Sequence, residues 1–117
     1  MEDLVTHRVN AAMLPNLQGR NVCILGMAKE VSNDGKMFTL TTSDGKDVRV
    51  QMQEPLNEYV SGLTEVHGQV GNRNTIQCQN YIVFPEEVSQ NFSMDLYNSA
   101  VELMARAPQH YQQGVQQ

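Results

Sequence analysis

An all-β core, a five-stranded barrel with a short N-terminal helix and a C-terminal α-helix, is the fold predicted for this chain of 117 residues. Three features carry that prediction. Strand and tight-turn signals alternate over residues 20–84. A break at Glu54-Pro55 divides them into three strands and then two. Beyond Ser93 the apolar spacing changes to a period of about 3.6 residues, the mark of a helix. The length fits one domain, large enough for a core without disulfide or metal staples.

In chain order, residues 1–9 read as a loose arm. Asn10 is a candidate N-cap ahead of Ala11, Ala12, Met13 and Leu14, and Pro15 keeps any helix there short. Residues 21–27 are nearly all apolar and continue to Val31; Val22, Ile24 and Leu25 favour a strand, and Gly26 inside it marks a bend or bulge. Asn33-Asp34-Gly35 accepts positive φ and makes a hairpin turn. A second strand spans 36–42, and Ser43-Asp44-Gly45 turns again. Over 47–52 the alternation is clean, with Val48, Val50 and Met52 on one face and Asp47, Arg49 and Gln51 on the other.

Residues 56–60 read as a short helical insert before Ser61-Gly62. A fourth strand covers 63–70, residues 71–74 turn, and a fifth strand runs from Thr75 to about Phe84, where Pro85 stops it. Three meandering strands, an insert and two more strands follow the plan of an OB fold, a small barrel whose first strand bends to serve both sides. An SH3-like barrel or an open sheet shares much of this pattern. The barrel is assigned to 10–85 and a polar connector to 86–92.

The C-terminal helix, 93–108 with its caps, is the most sharply bounded element. Ser93 caps it, Asp95 lies in its first turn and Pro108 ends it. Phe92 and Tyr97 are spaced for a hydrophobic staple. Turning about 100° per residue from Leu96 places Leu103 near −20°, Ala107 near 20°, Ala100 near 40°, Met104 near 80°, Tyr97 near 100° and Val101 near 140°. Asn98, Glu102, Arg106, Ser99 and Asp95 take the opposite side. An apolar sector about 160° wide exceeds the roughly 100° that one core requires. Either the helix plugs the barrel with all of it, or one flank packs on the barrel and the other meets partner helices in a small bundle. Residues 109–117 form a Gln-rich polar tail.

Composition limits the function. The net charge is −5, and the eight Lys and Arg residues form no run, which disfavours a strong autonomous binder of nucleic acid. Cys23 and Cys78 each lie in an apolar strand segment and read as buried free thiols of a reducing compartment. No apolar run approaches the ~18 residues of a membrane span, and the first ten residues lack the pattern of a secretory signal. The expectation is a soluble, intracellular chain.

The segments RVNAAML (8–14), NVCILG (21–26), GKMFTL (35–40), EPL (54–56), SGLTEVHGQV (61–70), TIQC (75–78), YIVF (81–84) and DLYNSAVEL (95–103) resemble, in register and in order, the small subunit of replication protein A. The resemblance runs from about Arg8 to Tyr111 and omits the first seven residues and the Gln-rich tail. It implies an OB fold followed by a helix that joins one helix from each of two larger subunits, the middle and the large. That heterotrimer is nuclear and coats single-stranded DNA in replication, repair and recombination, with most of the DNA affinity in the other subunits. By position, the assembly residues would be Leu96, Tyr97, Ala100, Val101, Leu103, Met104 and Ala107.

OB folds bind single strands on their second and third strands and adjoining loops, where bases stack on exposed aromatics. Here Phe38 and Leu40 share the inward face with Val48 and Val50, leaving Met37, Thr39, Thr41, Arg49 and Gln51 outside with no aromatic among them. Lys36, Arg49 and Arg73 are the cations placed for weak phosphate contacts. No nucleophile motif, phosphate loop or zinc spacing is present, and His7, His67 and His110 lie far apart in sequence, so neither an enzyme nor a metal or cofactor site is expected. Two other readings fit a barrel with a helix: the small subunit of a telomere-capping complex, and a stand-alone OB module for an oligonucleotide or oligosaccharide.

Overall fold

In a computed structural model that describes residues 7–106, apolar side chains at alternate positions of five strands converge on one interior. The strands are β2 (Asn21–Lys29), β3 (Met37–Thr42), β4 (Asp47–Gln51), β5 (Gly62–Val70) and β6 (Thr75–Val83). Phe38, Leu40, Val48, Val50, Val66 and Ile76 are fully buried, the inward set that the alternation predicts. Antiparallel pairs link β2 to β3, β3 to β4 and β5 to β6. A parallel β4–β6 pair and an antiparallel β2–β5 pair close the ring. The result is a closed OB barrel, the predicted class. Expectations for residues 1–6, for Ala107 and Pro108, and for the tail at 109–117 lie outside the described residues.

β2 serves two sides of the barrel. β5 pairs with residues 21–28 along one edge. On the other edge a further strand, β1 (His7–Val9), lies parallel to residues 22–24, and β3 takes over from Gly26 onward. Gly26 therefore stands where one neighbour replaces another. A Cβ there would run into the Thr41 carbonyl oxygen and sit 2.8 Å from Leu40 Cγ, so the crossing of these strands requires glycine.

Four local expectations need correction. The arm at 1–9 is not loose throughout, because residues 7–9 form β1; three residues carry no strand signal of their own and take their order from the β2 edge. The short N-terminal helix is present as a 3-10 helix (Ala11–Asn16), but Asn10 has a cap's extended backbone without a capping side chain. Its free N–H groups instead reach Asp44, whose carboxylate accepts from Ala11 N (3.4 Å) and Ala12 N (3.0 Å). Residues 56–60 form no helix: the segment is held from outside by a Leu56 N–H bond to the Gly35 carbonyl (2.8 Å) and by burial of Val60. The polar connector contains a helix, α1 (Glu86–Asn91), started by Pro85 in extended conformation and favoured by Glu86 and Glu87 in its first turn.

α2 (Met94–Arg106) follows prediction at its start. Ser93 Oγ accepts the Leu96 N–H at 3.1 Å, and the Phe92 and Tyr97 rings lie 5.7 Å apart as the staple. Cys23, Leu25, Leu63 and Val101 are buried but stand apart from the barrel's interior cluster. Cys23, Leu25 and Leu63 lie on the outer face of β2 and β5, and Val101 lies on α2. Ser89 of α1 is drawn onto the same face through Leu63 N (3.3 Å) and Met27 Sδ (3.9 Å).

Candidate functional site

Two surfaces bear on function, and α2 presents the first. Burial divides its wide apolar sector. Val101 is fully buried, and Tyr97, Met94 and Met104 are half-buried. Leu96, 72% exposed, Leu103, 46% exposed, and Ala100 face away. With about 100° per residue, the covered flank centres near 140° and the open flank near 0°. Asn98, assigned by periodicity to the polar side, turns out to belong to the barrel side. Its Oδ1 accepts from Asn10 Nδ2 and Ser43 Oγ, each at 2.9 Å, which pins α2 to the N-terminal segment and the β3–β4 turn. The helix thus rests on the barrel through Val101, Tyr97 and a polar latch, and leaves a row of Leu96, Ala100 and Leu103 uncovered. Ala107 lies beyond the described residues.

The second surface is the outer face of β3 and β4. Thr39 is paired with Arg49 and Thr41 with Asp47 across the two strands, and Arg49 stands beside Thr75 of β6. Arg73 and Asn74 both take left-handed backbone (φ 56 and 57), which folds the β5–β6 loop back so that the Asn74 carbonyl accepts the Arg49 N–H at 3.0 Å. The structure therefore brings Arg49 and Arg73 to one open concavity of about 590 Å³, shared with Thr39 and Thr75. Lys36 is not part of it. Glu30 and Asp47 line the same hollow, and Asp47 is engaged by Lys29 at 3.5 Å. Two cations facing two carboxylates give no strong positive field. Phe38 is fully buried, so no aromatic platform stands on this face.

A polar cluster that sequence reading missed lies on the outer face of β2 and β5, at the edge of α2. Cys23 is the direct cross-strand partner of His67, and Glu65 is on the same face two residues earlier. His67 Nε2 lies 2.6 Å from Glu65 Oε2 and 3.9 Å from Cys23 Sγ. From β1, Arg8 Nη1 donates to Glu65 Oε1 and to the Tyr97 hydroxyl, both at 3.2 Å, and reaches Cys23 Sγ at 3.5 Å. Burial pushes the Cys23 thiol up to about 11 despite the Arg8 charge. Burial also opposes ionisation of Glu65, but the hydrogen bonds from His67 and Arg8 outweigh it and hold that carboxyl below its usual range. Hydrogen bonding to Tyr97 raises the Arg8 pKa further against burial. At neutral pH the cluster is an ionised Glu65 clasped by Arg8 beside a protonated thiol. The only sequence sign was the alternation Glu65-x-His67; Cys23 joins it through strand register, which a single strand does not reveal.

Comparison with known proteins supplies the frame. The sequence model of the family described as Replication factor A protein 3 matches residues 1–111. Replication protein A of U. maydis, solved bound to single-stranded DNA, contains a chain that superposes with a TM-score of 0.74 at 22% identity, covering 93% of this chain and 96% of that one. The telomere capping protein Ten1 from Saccharomyces pombe superposes with a TM-score of 0.67 at 9% identity, covering 88% of this chain and all of the other (100%). The S. pombe Stn1–Ten1 complex contains a chain that gives 0.67 at 8% identity, over 91% of this chain and 97% of its counterpart. At such identities the structural likenesses establish the shared OB fold.

Proposed function

The chain belongs to the Replication factor A protein 3 family, and from that premise we propose that it is the assembly subunit of a nuclear single-stranded-DNA-binding heterotrimer acting in replication, repair and recombination. One observation carries the reading: α2 buries Val101 against its own barrel while Leu96, Ala100 and Leu103 stay uncovered. A contiguous apolar row on a helix pinned in place fits the packing of partner helices, one from each of the middle and large subunits, in a small bundle.

DNA then reaches this subunit mainly through the complex. Its own outer face has two arginines offset by two carboxylates and no stacking ring, so direct contacts by Arg49 and Arg73 are weak and weaken further with salt. Lys36 lies off that hollow and adds at most a peripheral phosphate contact. Co-expression with the two larger subunits tests the assignment. The chain is expected to co-purify in a stable complex; a chain that remains monomeric beside them and binds an oligonucleotide tightly by itself is a stand-alone module instead. Retention only by telomere-capping subunits would assign it to that alternative.

A further inference from the structure

Cys23, Glu65 and His67 offer three ligand atoms of three kinds, all within 4.8 Å of one another, on the outward face of two paired strands. The arrangement is built by register. Glu65 and His67 share a face because strands alternate, and Cys23 stands directly across from His67. Just beyond His67, the pairing of β5 with β6 slips from His67–Asn80 to Gly68–Cys78, so Gln79 is left over as a bulge of the kind that re-aims neighbouring side chains. We propose that these three residues bind one zinc-class divalent cation, which enters by exchange with the guanidinium of Arg8.

Ligand type and spacing both support this. Thiolate, imidazole and carboxylate are the donors zinc takes, at about 2.0–2.3 Å, and such bonds set tetrahedral ligand separations of roughly 3.3–3.6 Å. The sulfur–nitrogen distance of 3.9 Å is a few tenths of an ångström wide of that and the carboxylate–imidazole distance of 2.6 Å is shorter, so both side chains must shift on binding. Three protein ligands leave a fourth position for water. Charge also balances. Glu65 is now neutralised by Arg8 beside a protonated thiol. With the ion bound, Cys23 gives up its S–H proton to solvent, and one thiolate and one carboxylate offset the two positive charges. Arg8, 43% exposed at its side chain, is then surplus and turns toward the Tyr97 hydroxyl and water.

Among the described residues, the charged and titratable groups facing the site are Arg8 from β1, Tyr97 from α2, and Cys23, Glu65 and His67 themselves; β6 places the uncharged Asn80 and Ile82 opposite His67 and Glu65.

The test is a cobalt(II) titration of the full chain, followed by absorption. The expected result is a thiolate-to-cobalt charge-transfer band that saturates at one equivalent, is displaced by zinc, and is accompanied by release of one proton per ion. Cys23→Ser should abolish the band and Cys78→Ser should leave it. His67→Gln, at a partly exposed position that does not threaten folding, should weaken binding by more than about 100-fold, beyond the loss of an outer-shell partner. Arg8→Gln should tighten it. A folded chain that gives no band, a band lost with Cys78 instead of Cys23, or an affinity unchanged in His67→Gln would each overturn the proposal.

Discussion

Gly26 has little room for change on the bent strand, since a side chain there meets the Thr41 carbonyl and Leu40 together. Gly26→Ala is expected to lower stability by about 1–3 kcal/mol, the usual cost of overpacking, as a fall in the urea midpoint with an unchanged slope. Glu65 acts on the outer face through charge. Its folded carboxyl titrates below the unfolded value of about 4.3, so its contribution is complete above that pH and is lost as the pH falls through the lower folded value. Glu65→Gln is therefore expected to be about 1–3 kcal/mol less stable than the parent at neutral pH, with a gap that narrows below about pH 4.3 in urea melts run at successive pH values. At this scale the core was legible. Phe38, Leu40, Val48 and Val50 announce their inward face by alternation alone. The Arg8, Cys23, Glu65 and His67 cluster was not, because it depends on which residues of three strands stand opposite one another.

Among the elements, α2 shows what a helical period can and cannot reveal. Its start was readable from Ser93, Phe92 and Tyr97, each a local signal. The excess width of its apolar sector was readable too. Which flank meets the barrel was not, because a polar residue, Asn98, fixes the orientation through Asn10 and Ser43. The same dependence on distant partners explains the loop at 56–60 and the strand β1, both of which take their shape from neighbours remote in sequence. The two flanks predict opposite behaviour. Val101→Ala removes fully buried methyl groups and is expected to destabilise the isolated chain by about 1–2 kcal/mol in thermal or urea unfolding. The same experiment on Leu96→Ala, at a largely exposed position, is expected to stay within about 0.5 kcal/mol of the parent.

Among the described residues, the molecule is an acidic barrel that carries a row of uncovered apolar side chains on α2, beside scattered exposed residues such as Tyr59, Ile82 and Val88, and a balanced pair of arginines on its outer strand face. That distribution suits a chain whose main task is to hold larger subunits together, with DNA engaged by the assembly. The most direct test is light scattering after size-exclusion chromatography of Leu96→Glu/Leu103→Glu mixed with the two larger subunits. The double variant, alone, is expected to keep the urea midpoint of the parent yet to elute at its own mass beside subunits that the parent joins. A double variant that assembles as completely as the parent would place the docking surface elsewhere and contradict the role assigned to the open flank of α2.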